Sequence, residues 1–256
     1  MMVGKGSGPG GKRRVLYGRR RGRRLRPGRR ALLNELLPQL AITLPAESSA
    51  SLDPVTLFTG SPGVSAPAAD LLKKRFSPRD VWIEIGFGAG EHLAAQALSH
   101  PEVGFIGCEP YVDGVASLLQ QIERLGLNNV RVLMDDAGPL LETLTEASIG
   151  RADLLFPDPW PKKRHHKRRF IAPANVGILA RVLKDGAELR VASDDSGYIR
   201  WTLEHVLDHP DFAWLARNPR AWRNRPEDTQ PTRYESKARA QGRSSVFLRF
   251  ARRRRA

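Results

Sequence analysis

The sequence is short of cysteine and of long apolar runs. Cys108 is the only cysteine among 256 residues, which excludes an intrachain disulfide framework or a multi-cysteine zinc site and is typical of a reducing compartment. The sequence contains no run of about 18 apolar residues, the length that spans a bilayer. It also contains no basic stretch followed by an apolar segment and a cleavage site of the secretory kind. We therefore expect a soluble, cytoplasmic protein without a membrane partner.

Acidic residues are missing from the first part of the chain. Residues 1–30 contain twelve Lys and Arg, no acid, and scattered Gly and Pro, so they cannot bury enough apolar surface to fold alone. We predict a disordered basic arm there. Three roles stay open for it: loose contact with phosphates, a solvated tail, or a mitochondrial transit peptide, although Gly and Pro disfavour the amphipathic helix of such peptides.

Basic charge is abundant over the whole chain. There are 42 Lys and Arg against 27 Asp and Glu, a formal net charge of +15, which favours nucleic acid over a membrane surface as the partner. The length fits one sizeable domain with extensions. We predict an irregular lead-in over residues 31–78, broken by prolines, a folded domain over 79–251 and a basic tail over 252–256.

The predicted domain alternates strands with helices. Strands are predicted at 81–85, 103–109, 130–134, 152–156 and 187–192, and helices at 91–99, 112–125, 139–147, 174–183 and 198–207. This alternation predicts an α/β fold with a mostly parallel sheet and helices on both faces. Two late apolar runs, 212–215 and 245–250, are predicted to pair as an antiparallel closing hairpin.

A glycine loop follows the first predicted strand. Residues 86–90 read Gly-Phe-Gly-Ala-Gly and open a helix, a position where glycines let the backbone approach a ligand closely. Dinucleotide-binding folds need a third glycine where this chain has Glu91, which disfavours NAD. No Gly-x-x-x-x-Gly-Lys-Ser/Thr motif supports ATP or GTP.

Acidic residues stand at the ends of successive predicted strands. Glu84 precedes the glycine loop, Glu109 ends the second strand, and Asp135 and Asp136 follow the third. A ligand with a cationic centre, an ammonium group, a ribose and an adenine suits these acids, and S-adenosylmethionine is such a ligand. The alternative is that Glu84, Glu109 and Asp136 cap the helices that follow.

The most informative segment is residues 155–169, Leu-Phe-Pro-Asp-Pro-Trp-Pro-Lys-Lys-Arg-His-His-Lys-Arg-Arg. The prolines around Asp158 disfavour helix and fix the backbone, so the carboxylate lies at the carboxyl end of a strand, where open α/β sheets bind ligands. One acid and one ring beside six cations indicate a reaction on a nucleic-acid base. Trp160 packs within the loop or stacks on a base. His165 and His166 have no cysteine or spaced acid partner, so we expect no metal.

Four motifs together resemble the bacterial tRNA (guanine-N7-)-methyltransferases: residues 83–90, 107–109, 156–162 with the basic run, and 232–235. The resemblance covers roughly residues 55–250, and Pro-Asp-Pro-Trp-x-Lys is its most specific part. It implies a Rossmann-like, S-adenosylmethionine-dependent methyltransferase acting on N7 of a guanine in the tRNA variable loop. The cofactor residues that it implies are Glu84, Gly86, Gly88, Glu109, Asp136 and Asp158. The substrate residues that it implies are Lys162, Arg164, His165, His166, Lys167, Arg168, Arg169, Asp194, Thr232, Arg233, Tyr234 and Glu235.

The implied chemistry needs little from the protein beyond orientation. Guanine N7 has an unprotonated lone pair at neutral pH and attacks the sulfonium methyl without a general base. We expect Asp158 to be the catalytic residue, because it would hold the guanine edge or the methionine end of the cofactor.

Several alternatives stay open at this point. Asp194 either binds substrate or caps a helix, capping is preferred for Asp195, and the spacing of Thr232 and Glu235 also fits a capping box. A dinucleotide-dependent oxidoreductase and a non-catalytic RNA-binding protein with a Rossmann-like fold are the competing functions. We expect a monomer, with a homodimer as the alternative.

Overall fold

The computed structural model describes residues 20, 22, 24–45, 51–59 and 76–256. Most of the arm predicted over residues 1–30 lies outside this range. Helix α1 (Pro27–Glu35) begins inside the predicted arm, with a proline in its first turn. Proline is tolerated there because the first N–H groups of a helix have no intrahelical partner.

One seven-stranded sheet is formed by the described residues, in the order β3-β2-β1-β4-β5-β7-β6. Its strands are β1 (Asp80–Ile85), β2 (Val103–Cys108), β3 (Val130–Leu133), β4 (Ile149–Leu155), β5 (Leu183–Ser193), β6 (Phe212–Trp214) and β7 (Val246–Arg252). Strands β1 to β5 pair in parallel, and β7 runs antiparallel between β5 and β6. The predicted sheet and the antiparallel pairing of the two late strands are confirmed, although 31 residues, 215–245, join them instead of a tight turn.

Helices cover both faces of the sheet, as predicted. They are α2 (Leu37–Leu40), α3 (Thr56–Thr59), α4 (Glu91–Ser99), α5 (Val112–Leu125), α6 (Ala137–Thr143), a 3-10 helix (Lys163–Arg168), α7 (Pro173–Val182), α8 (Ser196–Leu207), α9 (Arg220–Arg223) and α10 (Arg233–Ala240). Phe105 and Ile106 of β2 belong to two different buried apolar clusters. Because successive strand residues point to opposite faces, the clusters lie on opposite sides of the sheet. None of the helices described is long and apolar enough to cross a membrane.

The described part of the lead-in predicted as irregular contains the end of α1 and helices α2 and α3. Leu36, Leu37 and Leu40 are buried in the core, and the Ile42 N–H donates to the Val132 carbonyl of β3 at 2.9 Å. Tertiary packing therefore gives regular structure to the described part of a segment whose prolines predicted irregular backbone. Pro38, like Pro27, falls in the first turn of a helix.

The predicted basic tail over residues 252–256 is docked at its two ends. Arg252 belongs to β7, and Arg255 Nη2 donates to the Arg181 carbonyl at 2.7 Å and to the Leu183 carbonyl at 2.9 Å. These guanidinium contacts satisfy carbonyl groups that the end of α7 leaves without helical partners.

Candidate active site

The glycine loop joins β1 to α4 at the carboxyl edge of the sheet. Gly86, Gly88 and Gly90 have φ of 73°, 59° and 77°, which glycine adopts at no steric cost. The Gly86 N–H donates to the Cys108 carbonyl at 2.8 Å, which holds the loop beside the end of β2. A Cβ on Gly114 of α5 would lie 2.1 Å from the Gly88 carbonyl oxygen. Helix and loop therefore approach this closely only because residue 114 is glycine.

Glu109 fixes this loop from the end of β2. Its Oε2 accepts from the Gly88 N–H at 2.8 Å and its Oε1 accepts from the Tyr111 N–H at 2.9 Å. Burial raises the pKa of Glu109, and the two backbone N–H groups oppose that rise. Each oxygen retains acceptor capacity, so the carboxylate can also receive hydroxyl groups of a ligand.

Asp136 follows β3 and caps α6, as the capping alternative states. Its Oδ1 accepts from the Gly138 N–H at 2.9 Å. The neighbouring Asp135 pairs with Arg20 at 2.5 Å. Sequence reasoning assigned no role to Met134, which is 39% exposed at this strand end and offers an apolar surface beside the acids. A large apolar residue directly before two acids at a strand end is the signal that could have found it.

Glu84 is the innermost acid of the edge and caps none of the described helices. It is 4% exposed, and its Oε2 lies 2.8 Å from Nδ1 of His92, itself 3% exposed. Capping is therefore the wrong alternative for Glu84. His92 is a second residue that sequence reasoning missed.

Asp158 stands on a loop with unusual backbone geometry. Phe156 and Trp160, on either side of it, have φ of 51° and 43°, a left-handed conformation that is uncommon for bulky side chains and clusters at functional sites. The Phe156 N–H donates to the Ala192 carbonyl at 2.7 Å, so the loop is anchored to β5. Asp158 itself is exposed.

The basic run folds back on Trp160. The Arg168 guanidinium lies 4.7 Å over the Trp160 ring, and His165 meets the ring edge-on at 5.8 Å. The tryptophan therefore packs within the loop. Partial desolvation and the surrounding cations lower the pKa of His165.

Arg169 differs from the other cations of the run. It is 5% exposed, its Nε donates to the Pro159 carbonyl at 2.8 Å, and its guanidinium lies 5.0 Å over the Trp201 ring. Lys162, Arg164 and Lys167 are exposed. Arg169 thus anchors the loop, and the prediction that it contacts substrate has no support in this geometry.

The segment 232–235, which is predicted to bind substrate, reaches the glycine loop. Thr232 Oγ1 accepts from the Glu235 N–H at 3.1 Å, so the predicted capping by Thr232 is present. A Cβ on Gly88 would lie 3.0 Å from the Tyr234 ring. Burial raises the pKa of Tyr234; Arg233 opposes this, and nearby carboxylates including Glu109 and Asp158 add to it. Residues far apart in sequence thus meet at one edge.

Two of the remaining predicted residues form ion pairs, and a third caps a helix. Glu235 is 6% exposed and lies 3.8 Å from Arg225 and 3.7 Å from Arg239. Asp194 forms an ion pair with Arg243. Asp195 Oδ1 accepts from the Tyr198 N–H at 2.7 Å at the start of α8, which confirms capping for Asp195.

Comparisons with known proteins agree on one family. A family model described as "Putative methyltransferase" matches residues 78–248. The tRNA (guanine-N(7)-)-methyltransferase of Rhodospirillum rubrum is 48% identical over 244 residues, which are 94% of this chain and 88% of the relative. The protein of the same name from Nitrobacter hamburgensis is 47% identical, over 92% of this chain and 86% of the relative. That from a Chelativorans strain is 44% identical, over 93% and 95%.

Proposed function

This chain belongs to the tRNA (guanine-N(7)-)-methyltransferase family, and we propose that it transfers a methyl group from S-adenosylmethionine to N7 of a guanine in the tRNA variable loop. The observation that carries the proposal is the meeting of Gly88, Glu109 and Tyr234 at one sheet edge. Asp158 is near enough to raise the pKa of Glu109 and Tyr234, and exposed cations lie on its loop. Family membership favours an enzyme over a non-catalytic RNA-binding protein. A cytoplasmic location and a monomeric state stay predictions from the sequence.

The edge fits S-adenosylmethionine. Where a side chain on Gly86 would begin, no atom lies within 4 Å, so a ligand can approach this backbone. The free acceptor capacity of Glu109 suits ribose hydroxyls, and Asp136, beside the exposed Met134, suits the adenine. Glu84 and Asp158 suit the ammonium end. When bound, the cofactor supplies a methyl group on a positively charged sulfur.

The chain's own residues orient the guanine. N7 needs no general base, so the rate depends on alignment, which can contribute several kcal/mol. We assign Asp158 to hold the base or the methionine end, and Tyr234 to form the wall opposite the glycine loop. The left-handed residues on either side of Asp158 fix the backbone from which its side chain extends, and none of the described residues hydrogen-bonds to that carboxylate.

The exposed cations bind the tRNA backbone in this proposal. Lys162, Arg164 and Lys167 extend from the loop that carries Asp158. Arginine forks and lysine ammonium groups bind phosphate oxygens, and each contact releases counterions from the RNA. The same loop thus binds phosphate and presents the catalytic carboxylate.

Methyl transfer to unmodified tRNA transcripts tests the proposal. With labelled S-adenosylmethionine, we expect N7-methylguanosine confined to the variable loop, detected by nucleoside analysis. Asp158→Ala should lower transfer by about 100-fold or more through poorer alignment, with unchanged thermal stability because Asp158 is exposed. Asp208→Ala, at an exposed position after α8, is the matched control and should keep full activity. Methylation at another atom, or full activity of Asp158→Ala, would contradict the proposal.

A further inference from the structure

Glu84 and His92 join the two ends of the glycine loop. Glu84 lies two residues before Gly86, His92 lies two residues after Gly90, and the pair is buried with 2.8 Å between Oε2 and Nδ1. The contact therefore fixes the end of β1 against the first turn of α4. None of the four motifs that carry the family resemblance includes His92.

We propose that His92 is a positioning residue for cofactor binding, which keeps Glu84 ionised and directed at the ammonium group of S-adenosylmethionine. The inference rests on the proposed function. An ammonium ligand needs a carboxylate partner, and burial of an isolated carboxylate strongly disfavours its charged form. Glu84 therefore needs a donor that can also carry positive charge, and a histidine 2.8 Å away provides both.

The neighbouring arginines form ion pairs with acids other than Glu84. Arg151 Nε donates to Asp153 at 2.9 Å, and Arg190 contacts Glu188 and Asp228, each at 2.7 Å. His92 is thus the direct hydrogen-bond partner of Glu84. Burial raises the pKa of Glu84, and His92 acts against this rise. Burial alone would lower the pKa of His92, but Glu84 raises it above its ordinary value.

The second ring nitrogen of His92 is buried, and the side chain lines a cavity that residues between 225 and 235 also line. His92, Asp153, Arg225, Thr232 and Glu235 line one cavity between α4 and the chain leading to α10. Within the described residues, His92 Nε2, Asp153 Oδ1 and Glu235 Oε2 are buried without hydrogen-bond partners. None of these three atoms bonds directly to another, and the two carboxylate oxygens have acceptor capacity for a water that takes a hydrogen bond from Nε2–H of a protonated His92. The surroundings therefore favour the charged imidazole that Glu84 needs.

Binding of two ligands distinguishes a role of His92 in positioning Glu84 from a role in supporting the loop alone. S-adenosylhomocysteine carries the amino-acid end that Glu84 would bind, whereas methylthioadenosine lacks it. By isothermal titration of the full chain, we expect His92→Phe to weaken S-adenosylhomocysteine by about tenfold or more, the size of one hydrogen bond to a charged group. Affinity for methylthioadenosine should stay unchanged.

His92→Asn keeps a donor but cannot carry charge, so it serves as the conservative variant if His92→Phe does not fold. Its affinity for S-adenosylhomocysteine should approach the wild-type value at high pH and fall at a higher pH than in wild type as the solution is acidified. The reason is that loss of the imidazolium lets burial raise the pKa of Glu84 further. Asp153, Arg151, Arg190, Arg225 and Glu235 also face this site and are unchanged in the variant. Glu84→Gln should abolish the fall in affinity at acidic pH, and it should bind S-adenosylhomocysteine as weakly as His92→Phe does.

Failure of the inference can be told from failure of the function. If His92→Phe lowered the affinity for both ligands equally, or if the affinity of His92→Asn fell at the same acidic pH as in wild type, His92 would be a structural residue only. The methyltransferase proposal would stand in either case. A wild-type chain that binds neither ligand would overturn both.

Discussion

Gly114 is the residue at which helix α5 touches the glycine loop, and its replacement by alanine tests that contact. The new Cβ would lie 2.1 Å from the Gly88 carbonyl oxygen, below the 3.0 Å limit of real contacts, so loop and helix must separate by roughly 1 Å. Alanine gains about 0.5–1 kcal/mol in a helix relative to glycine. Overpacking costs about 1–3 kcal/mol and acts here on backbone that cannot rotate away. We expect net destabilisation of about 1–2 kcal/mol.

The same substitution at Gly177 is the matched control. In α7 the nearest atom to a Cβ there is His209 Nε2 at 3.9 Å, so Gly177→Ala should stabilise the fold by about 0.5–1 kcal/mol. Urea denaturation compares the two free energies of unfolding, and titration with S-adenosylhomocysteine follows the loop. Weaker ligand binding is expected for Gly114→Ala alone, since Gly88 also donates to Glu109. A Gly114→Ala protein as stable as Gly177→Ala, with wild-type affinity, would refute the argument.

Two further predictions concern charged residues. Burial would raise the pKa of Glu188, but contacts with Arg249 and Arg190 hold that pKa below its ordinary value. The ionised Glu188 therefore stabilises the fold above the pKa that it has in the unfolded chain. This stabilisation is lost as the pH falls through the pKa of Glu188 in the folded protein. Glu188→Gln should lower the urea midpoint at pH 7, and the gap to wild type should narrow at acidic pH; a gap independent of pH would argue against it. Replacing Lys162, Arg164 and Lys167 by alanine should weaken tRNA binding and reduce the slope of log affinity against log salt by about 0.7–0.9 for each phosphate that is no longer neutralised, without changing thermal stability. Arg169→Ala should instead lower the melting temperature, and a purely salt-dependent effect of Arg169→Ala would show that it faces the RNA.

Local signals in the sequence account for most of the fold. Helices α4 and α5 have the predicted bounds because glycines in the left-handed conformation border them, Gly90 before α4 and Gly126 after α5. Helices α1 and α2 were not predicted, since prolines in a helix's first turn look the same in sequence as prolines that break helices. Their order comes from packing of α1 against α5 and of α2 against β3, which sequence periodicity does not record.

The site could be predicted in part. The strand-end acids and Asp158 follow from the rule that ligands bind at the carboxyl edge of the sheet. The inward position of Arg169 could not, because it differs from its exposed neighbours only in its contacts with Trp201 and Pro159. Likewise, the contact of His92 with Glu84 depends on the path of the glycine loop, and no pattern of spacing specifies it.

The position of β7 between β5 and β6 has a consequence for biosynthesis. During translation the nascent chain emerges with β5 and β6 made but unable to pair, since the strand that separates them is the later one, Val246–Arg252. Residues 215–245, including Tyr234, are held at both ends only once this strand inserts. Until then the edge of β5 is open to pairing with other chains. The segment that carries Tyr234 is thus placed late in synthesis, and a chain released before Val246 would contain β1 to β6 without the strand that fixes this segment.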